Sequence, residues 1–220
     1  MLPAFVIAIP GHHASQAAAD VCIESIHATG SALAPIKWPA VTPDTLKACE
    51  WRWPAKKKIT CAYTGLTLTA YKNRDVRARI ACAQSHYQLW QQCVDMDQVI
   101  CILEHDAVFT RRFDSTDFEG GAMALNDPAG ATFRAQEYDQ ALMPGINAVP
   151  WITDRIIPQG LPGNSAYVIK PWAAQQLIDA QDSIGWWPND AIMCRQLFDW
   201  LRVVKPYYTR VQGLASTTVN

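Results

Sequence analysis

Apolar positions come first in a short unbroken run and then at helical steps. "AFVIAIP", residues 4–10, is β-branched and continuous, which predicts a strand buried on both faces that ends at Pro10-Gly11. Residues 13–29 follow with several alanines, with Val21, Ile23 and Ile26 on one side and with Gly30 as a stop. That spacing predicts an amphipathic helix packed on a sheet. "ALAPIKW" reads as a second strand, weakened by Pro35. "TPDTLKACEW" reads as a helix with Thr42 as N-cap and Pro43 at its first position. A β-α-β-α opening of this kind predicts an α/β domain with a largely parallel sheet.

Residues 51–73 keep no single period and are expected to form an irregular, partly exposed excursion. From Arg74 to Val94, the positions Val76, Ile80, Ala83, Tyr87 and Trp90 recur at three and four residues and predict a helix. "QVICILEHDAVF" is the next strand. Glycine and proline punctuate residues 120–163, where "GAMALN" and "DRIIP" are the expected short strands. "NSAYVIK" predicts a strand, and Pro171 starts a helix that carries Ala173, Ala174, Leu177 and Ile178. A further helix is expected after "WWPND", through Ile192, Met193, Leu197, Phe198 and Leu201. "VVKPYYTRVQGLASTTVN" closes the chain as an edge strand and a polar tail.

Composition narrows the functional classes. At 220 residues and 50% hydrophobic, the chain can bury one sizeable core, and no repeat or composition shift marks a second domain, so residues 1–220 are expected to form one unit. A formal net charge of -1 gives no global field for nucleic acid, membrane surface or polyanion, so any charged partner is met locally. The seven cysteines are an odd number with no C-x-x-C pair. They read as reduced thiols of a cytoplasmic protein rather than as a disulfide framework or a zinc site. "MLPAFVIAIPGHH" lacks a basic n-region, and its apolar run falls short of the roughly 18 residues of a membrane span. It is read as the first strand and not as a signal.

The chemistry concentrates in "CILEHDAVF", residues 101–109, where an apolar strand runs into Glu104, His105 and Asp106. In a strictly extended strand Glu104 and Asp106 would share a face, with His105 opposite. Carboxylates are almost never buried unpaired, so two at a strand end ask for a cation or a ligand. In open α/β sheets that position is where ligands bind. Hard oxygen donors there suit Mg²⁺ or Mn²⁺ held against substrate phosphates. The competing reading is a strand-end cluster satisfied by helix N-termini and by Arg111 or Arg112.

The segment "ILEHDAVF" resembles the "LEDDA" element of the family 25 glycosyltransferases, the group that holds bacterial lipooligosaccharide galactosyltransferases and collagen galactosyltransferases. Upstream, "IACAQSHYQLW" resembles that family's "GCALSH" helix. Downstream, "GNSAYVIKPWAAQQLI" resembles its "G-x-x-AYVIS-x-x-A-x-x-LL" strand and helix, and "WPNDAIM" stands where the family has "P-x-D". The resemblance implies a GT-A fold, a Rossmann-like nucleotide-binding sheet, and an inverting transfer of a hexose from a nucleotide-sugar, a UDP-sugar, to an acceptor hydroxyl. It places Asp106 as direct ligand of a divalent metal and Glu104 at the ribose or a metal-bound water. His105 replaces the family's middle aspartate and lowers the local negative charge.

Asp190, in "WPNDAIM", is the candidate general base implied by an inverting reaction, with helix N-capping as its plainer role. Ser85 and His86 match the family's "SH" pair. His86 can touch the nucleotide, brace the acidic loop or simply fill the core, and Cys82 one turn earlier raises a thiol-imidazole dyad as a remote alternative. Gly163, Asn164 and Ser165 correspond to a segment that approaches the donor or acceptor. The first loop, "PGHHASQ", departs from the family, which leaves His12, His13 or nearby backbone to recognise the nucleotide. Arg77 and Arg79 are candidate diphosphate or acceptor contacts. Trp186 and Trp187 are a candidate platform for a sugar ring. "WRWPAKKK" offers lysines beside tryptophans, so nucleic acid stands beside a glycan as acceptor. Two other functions fit the same residues: a nucleotide-sugar-binding protein without turnover, and a metal-dependent phosphohydrolase.

Overall fold

The computed structural model describes residues 1–71, 75–114, 117–132 and 134–214. Its elements in chain order are β1 (Leu2–Ala8), α1 (His13–Ala28), β2 (Leu33–Pro39), β3 (Ile59–Thr60), β4 (Thr67–Leu68), α2 (Val76–Met96), β5 (Ile100–Glu104) and β6 (Ala107–Phe109). They continue with β7 (Ala122–Ala124), α3 (Ala135–Gln140), β8 (Gly145–Ala148), β9 (Ala166–Ile169), α4 (Pro171–Ile184), α5 (Asn189–Ile192), β10 (Leu201–Lys205) and β11 (Thr209–Val211). Seven strands form the central sheet in the order β2-β1-β5-β9-β7-β10-β8. Pairing is parallel for β1 with β2 and β5 and for β7 with β10. It is antiparallel for β9 with both neighbours and for β8 with β10. Five strands therefore run one way and β9 and β8 the other, a mixed, mostly parallel α/β sheet of Rossmann-like character.

Strand alternation divides the core between the two faces of this sheet. Ala4, Val6 and Ala8 of β1 and Cys101 and Leu103 of β5 meet Ala19, Cys22 and Ile26 of α1. Phe5, Ile7, Ile100 and Ile102 face the other way, into a larger cluster with Leu89, Trp90 and Cys93 of α2 and Leu177 of α4. Each Leu, Ile or Phe fully withdrawn from water there contributes about 1.5–3 kcal/mol. Of the expected apolar side of α1, Ile26 is buried and Ile23 packs against the same cluster, and only Val21 departs. Val21 is 43% exposed, and Ala18, Ala19 and Cys22 join Ile26 in the buried stripe, small side chains that let the helix lie close to the strands.

Several expected elements are corrected. "TPDTLKACEW" is not a helix: Thr42 and Thr45 close a turn, and Gln84 of α2 holds the Lys47 backbone through both its N–H and its carbonyl, at 3.0 and 2.7 Å. Those polar groups are satisfied by a neighbouring helix, so no local helix is needed. "QVICILEHDAVF" is two strands, because His105 and Asp106 form a turn between β5 and β6. "DRIIP" is a turn, while α3 and β8 arise where the punctuated stretch suggested only loops and short strands. The helix after "WWPND" stops at Ile192, and Leu201 begins β10, which lies inside the sheet between β7 and β8 rather than at an edge. Pro35 is accommodated because β2 is an edge strand. The polar tail, residues 215–220, lies outside the described residues.

Candidate active site

Where β1 and β5 end, the chain leaves the sheet and encloses a cleft of about 780 Å³. Glu104, His105 and Asp106 line it from the end of β5, and Ser85 and His86 from α2. Gly163, Asn164 and Ser165 line it from the approach to β9, and Asp190 from α5. The antiparallel course of β9 explains the third contribution. Leu103 pairs with Ala166, and the Glu104 N–H donates to the Ser165 carbonyl at 2.7 Å, so the segment before β9 adjoins the end of β5.

The turn at His105 and Asp106 is held from far along the chain. Gln212, just past β11, donates its backbone N–H to the Asp106 carbonyl at 2.8 Å and its side-chain amide to the His105 carbonyl at 3.1 Å. Asp106 Oδ1 is buried with no hydrogen-bond partner. Burial first, and the neighbouring Glu104 second, push the Asp106 carboxyl up to about 7. His105 is half-buried, and burial lowers its imidazole pKa against the opposing pull of Glu104.

His86 is fully buried and joins a directed chain of hydrogen bonds. The Trp90 indole, which can only donate, gives its Nε1–H to the Tyr167 hydroxyl at 2.9 Å. Tyr167 lies 2.9 Å from His86 Nδ1, and His86 Nε2 lies 3.3 Å from Glu104 Oε1. With Tyr167 donating to Nδ1, the Nε2–H points at the carboxylate and every proton has an acceptor. The reverse tautomer strands the phenolic proton and turns a lone pair toward Glu104. His86 thus braces the acidic end of β5 from below. Tyr167→Phe is expected to lower stability by about 1–3 kcal/mol, because it orphans the Trp90 N–H and frees His86 to turn. At about 2–4 °C per kcal/mol this is a readily measured fall in melting temperature, and an unchanged value would refute the chain.

Ser85 has a scaffolding place: its hydroxyl accepts from the Val41 N–H at 2.9 Å and donates to the Ala81 carbonyl at 2.8 Å, fixing the exit from β2. Gly163 has φ +70°, and a Cβ there would lie 2.4 Å from the Ala131 Cβ, so this approach requires glycine. Asn164 donates to the Met193 sulfur at 3.1 Å, while its Oδ1 and the Ser165 hydroxyl are buried without partners. Asp190 follows Pro188 in the first turn of α5, yet no side chain caps that helix, so the capping role is not what holds it. Burial is the main influence raising its pKa, with Arg79 opposing.

Cys82, His86 and Glu104 bring their ligating atoms within 4.8 Å of one another. An ion held there would need the His86 Nε2 lone pair and would reverse the hydrogen-bond chain. Burial and the neighbouring carboxylates also raise the Cys82 pKa well above its ordinary value, which keeps the thiol protonated and argues against a thiol-imidazole dyad. Glu104 with Asp106, two hard carboxylates of which one has an orphaned oxygen, is the better-fitting pair for Mg²⁺ or Mn²⁺.

Other candidates are placed elsewhere. His12 caps α1, and both His12 and His13 are exposed and absent from the cleft lining. Arg79 lines the cleft with its guanidinium 4.6 Å from the Tyr71 ring centroid, whereas Arg77 sits 3.7 Å from Asp44 at the surface. Trp187 is fully buried against Trp53, and Trp186 packs on Tyr87 at 4.5 Å, so neither ring lines the cleft as a sugar platform. In "WRWPAKKK" Trp53 is buried and Trp51 packs on the same core, which leaves Lys56 to Lys58 as a solvated run. Asn189, Tyr71 and Gln212 were missed, since no local pattern distinguishes them. Asn189 accepts from the Cys82 thiol at 3.6 Å, and Tyr71 lies close enough for the Asp190 charge to raise its pKa.

Over residues 43–120 the chain carries the pattern of glycosyltransferase family 25 (LPS biosynthesis protein). That stretch contains α2, β5 and the Glu104–Asp106 turn, so the family 25 match covers the acidic side of the cleft. It supports a glycosyltransferase and the resemblance read from "ILEHDAVF" and "IACAQSHYQLW". The Gly163 segment and Asp190 lie outside the matched residues. No curated protein matches the chain. Among the described residues, no helix is long and apolar enough to cross a membrane.

Proposed function

We propose that this protein is an inverting hexosyltransferase that moves a sugar from a nucleotide-sugar, a UDP-sugar, to a hydroxyl of a glycan acceptor. The observation that carries this reading is the convergence of Glu104 and Asp106, at the end of β5, with Asp190, of α5, on one cleft at the ends of β1 and β5. Asp106 and Glu104 would hold Mn²⁺ or Mg²⁺, which when bound neutralises charge on the departing diphosphate as a Lewis acid. Asp190 accepts the proton of the acceptor hydroxyl as that oxygen attacks the anomeric carbon from the side opposite the leaving group. A base works best with a pKa near the working pH, and burial raises that of Asp190. Asn164 and Ser165 offer buried polar atoms to the donor, and Arg79 supplies positive charge in the cleft. The cysteines are free thiols, which supports a reducing compartment and hence the cytoplasm.

A thermal-shift panel of nucleotide-sugars with and without Mn²⁺ tests the reading. A UDP-sugar at about 100 times its Kd stabilises by about 2.7 kcal/mol, which corresponds to a rise of roughly 5–10 °C, and Mn²⁺ should be required for it. If no nucleotide-sugar moves the melting temperature in the presence of Mn²⁺, the transferase assignment is wrong.

A further inference from the structure

The two carboxylates at the acidic end of the cleft are held in different ways. Glu104 closes β5 opposite Ile7 of β1, donates its N–H to the Ser165 carbonyl at 2.7 Å and has its carboxylate 3.3 Å from His86 Nε2. Sheet and helix together fix it. Asp106 lies beyond the strand in a turn, and its buried Oδ1 has no hydrogen-bond partner. With that oxygen unbraced, the direction of the carboxylate is set by the backbone, whose only soft angles at one residue are φ and ψ.

Gln212 holds both of those angles. Its side-chain amide donates to the His105 carbonyl at 3.1 Å, which fixes the peptide plane before Asp106, and its backbone N–H donates to the Asp106 carbonyl at 2.8 Å, which fixes the plane after it. The same amide nitrogen donates to the Ala18 carbonyl of α1 at 2.9 Å. A primary amide carries two protons, and here each has its own carbonyl; a thioether of the same length has none to give. Gln212 is itself carried by a well-paired segment. Thr209, Arg210 and Val211 pair with Phe109, Val108 and Ala107, and the Leu125 carbonyl accepts from the Tyr208 and Thr209 N–H groups at 2.9 and 3.1 Å. Val211 and Gly213 line the cleft but Gln212 does not, so it acts on the turn from behind.

We infer that Gln212 is a positioning residue that presets the Asp106 carboxylate for a divalent cation by holding the peptide planes on either side of it. This rests on the transferase reading above and adds to it the segment after β11, which no local pattern ties to the acidic turn. A turn ordered in advance spares the cation the cost of ordering it, so loss of Gln212 shows as weaker cation binding by a folded protein.

The test titrates the full chain carrying Gln212→Met with Mn²⁺ in the presence of UDP, well below its melting temperature, and reads free Mn²⁺ from its electron paramagnetic resonance signal. Mn²⁺ affinity should fall roughly 10–100-fold against the parent, the range for groups that orient a metal ligand. Gln212→Asn keeps both protons on a side chain one methylene shorter; it carries the same expectation and stands in if the methionine variant does not fold. Ser31→Ala is the control, since it removes the acceptor of the Phe113 N–H, a 2.9 Å bond away from the cleft lining. That variant should melt at a lower temperature and bind Mn²⁺ as the parent does, because a purely structural loss reduces the folded fraction on heating and not the affinity of folded protein. If the folded Gln212 variant binds Mn²⁺ within about twofold of the parent, far short of that range, or if Ser31→Ala weakens Mn²⁺ equally, the positioning role is overturned while the transferase reading stands. If the parent itself takes up no Mn²⁺ with UDP, the metal-dependent transferase reading fails and the role of Gln212 with it.

Discussion

Asp106→Asn is expected to abolish cation-dependent nucleotide-sugar binding and, above pH 7, to make the unliganded protein more stable than the parent. Asp106 Oδ1 is buried and unpartnered beside Glu104, and its carboxyl is pushed up to about 7. A carboxyl whose folded pKa exceeds its ordinary value of 3.8 favours the folded state fully below that value. The contribution is lost as pH rises through about 7, where the charge must be carried in a desolvated site. Asparagine keeps the shape and never ionises, so melting curves of the two proteins should coincide near pH 4 and separate progressively up to pH 8. Protons compete with the cation over the same range, so the Mn²⁺-dependent shift of the parent should fade below pH 7. Loss of a direct ligand should cost more than the 10–100-fold typical of outer-shell partners. Parallel melting curves across this range, or donor binding within tenfold of the parent, would remove Asp106 from the proposed metal site.

Asp190→Asn should leave donor binding intact and lower turnover by about 10²–10⁴-fold, the usual worth of a positioned general base. The residue follows Pro188, and Trp187 is anchored in the core, where its N–H and carbonyl bond the Gln181 side chain at 2.8 and 3.1 Å. The substitution keeps volume and removes only basicity. Because burial raises the Asp190 pKa, the acidic limb of the parent's pH–rate profile should sit above the ordinary carboxylate range, with activity rising as the group deprotonates. A variant that kept a tenth or more of parental turnover would exclude Asp190 as the base.

Much of this cleft was legible in the sequence because its parts are local. An apolar run ending in carboxylates, a helix of period 3.6 with Ser85 and His86, and a glycine-led strand each announce themselves within a dozen residues. Reading failed where satisfaction is distant. "TPDTLKACEW" carries good helix-start signals, yet Gln84 and Ser85 bind its backbone and the flanking Val41 and hold it open. The alternation of Glu104 and Asp106 assumed a straight strand, but Gln212, more than a hundred positions away, grips a turn there. Trp186 and Trp187 read as a candidate sugar platform, and only packing against Tyr87 and Trp53 shows where each ring goes.

The sequence by itself determined the α/β class, the first strands and helices, and the chemical kinds of side chain available, because hydrophobic period and residue type are properties of short segments. The tertiary structure alone decided that β9 runs against β5. That direction places Gly163 to Ser165 beside Glu104, and core anchoring of Trp187 carries Asp190 into the same cleft. Strand direction within a sheet and the meeting of remote loops depend on how whole faces bury against one another, and no window of residues encodes them.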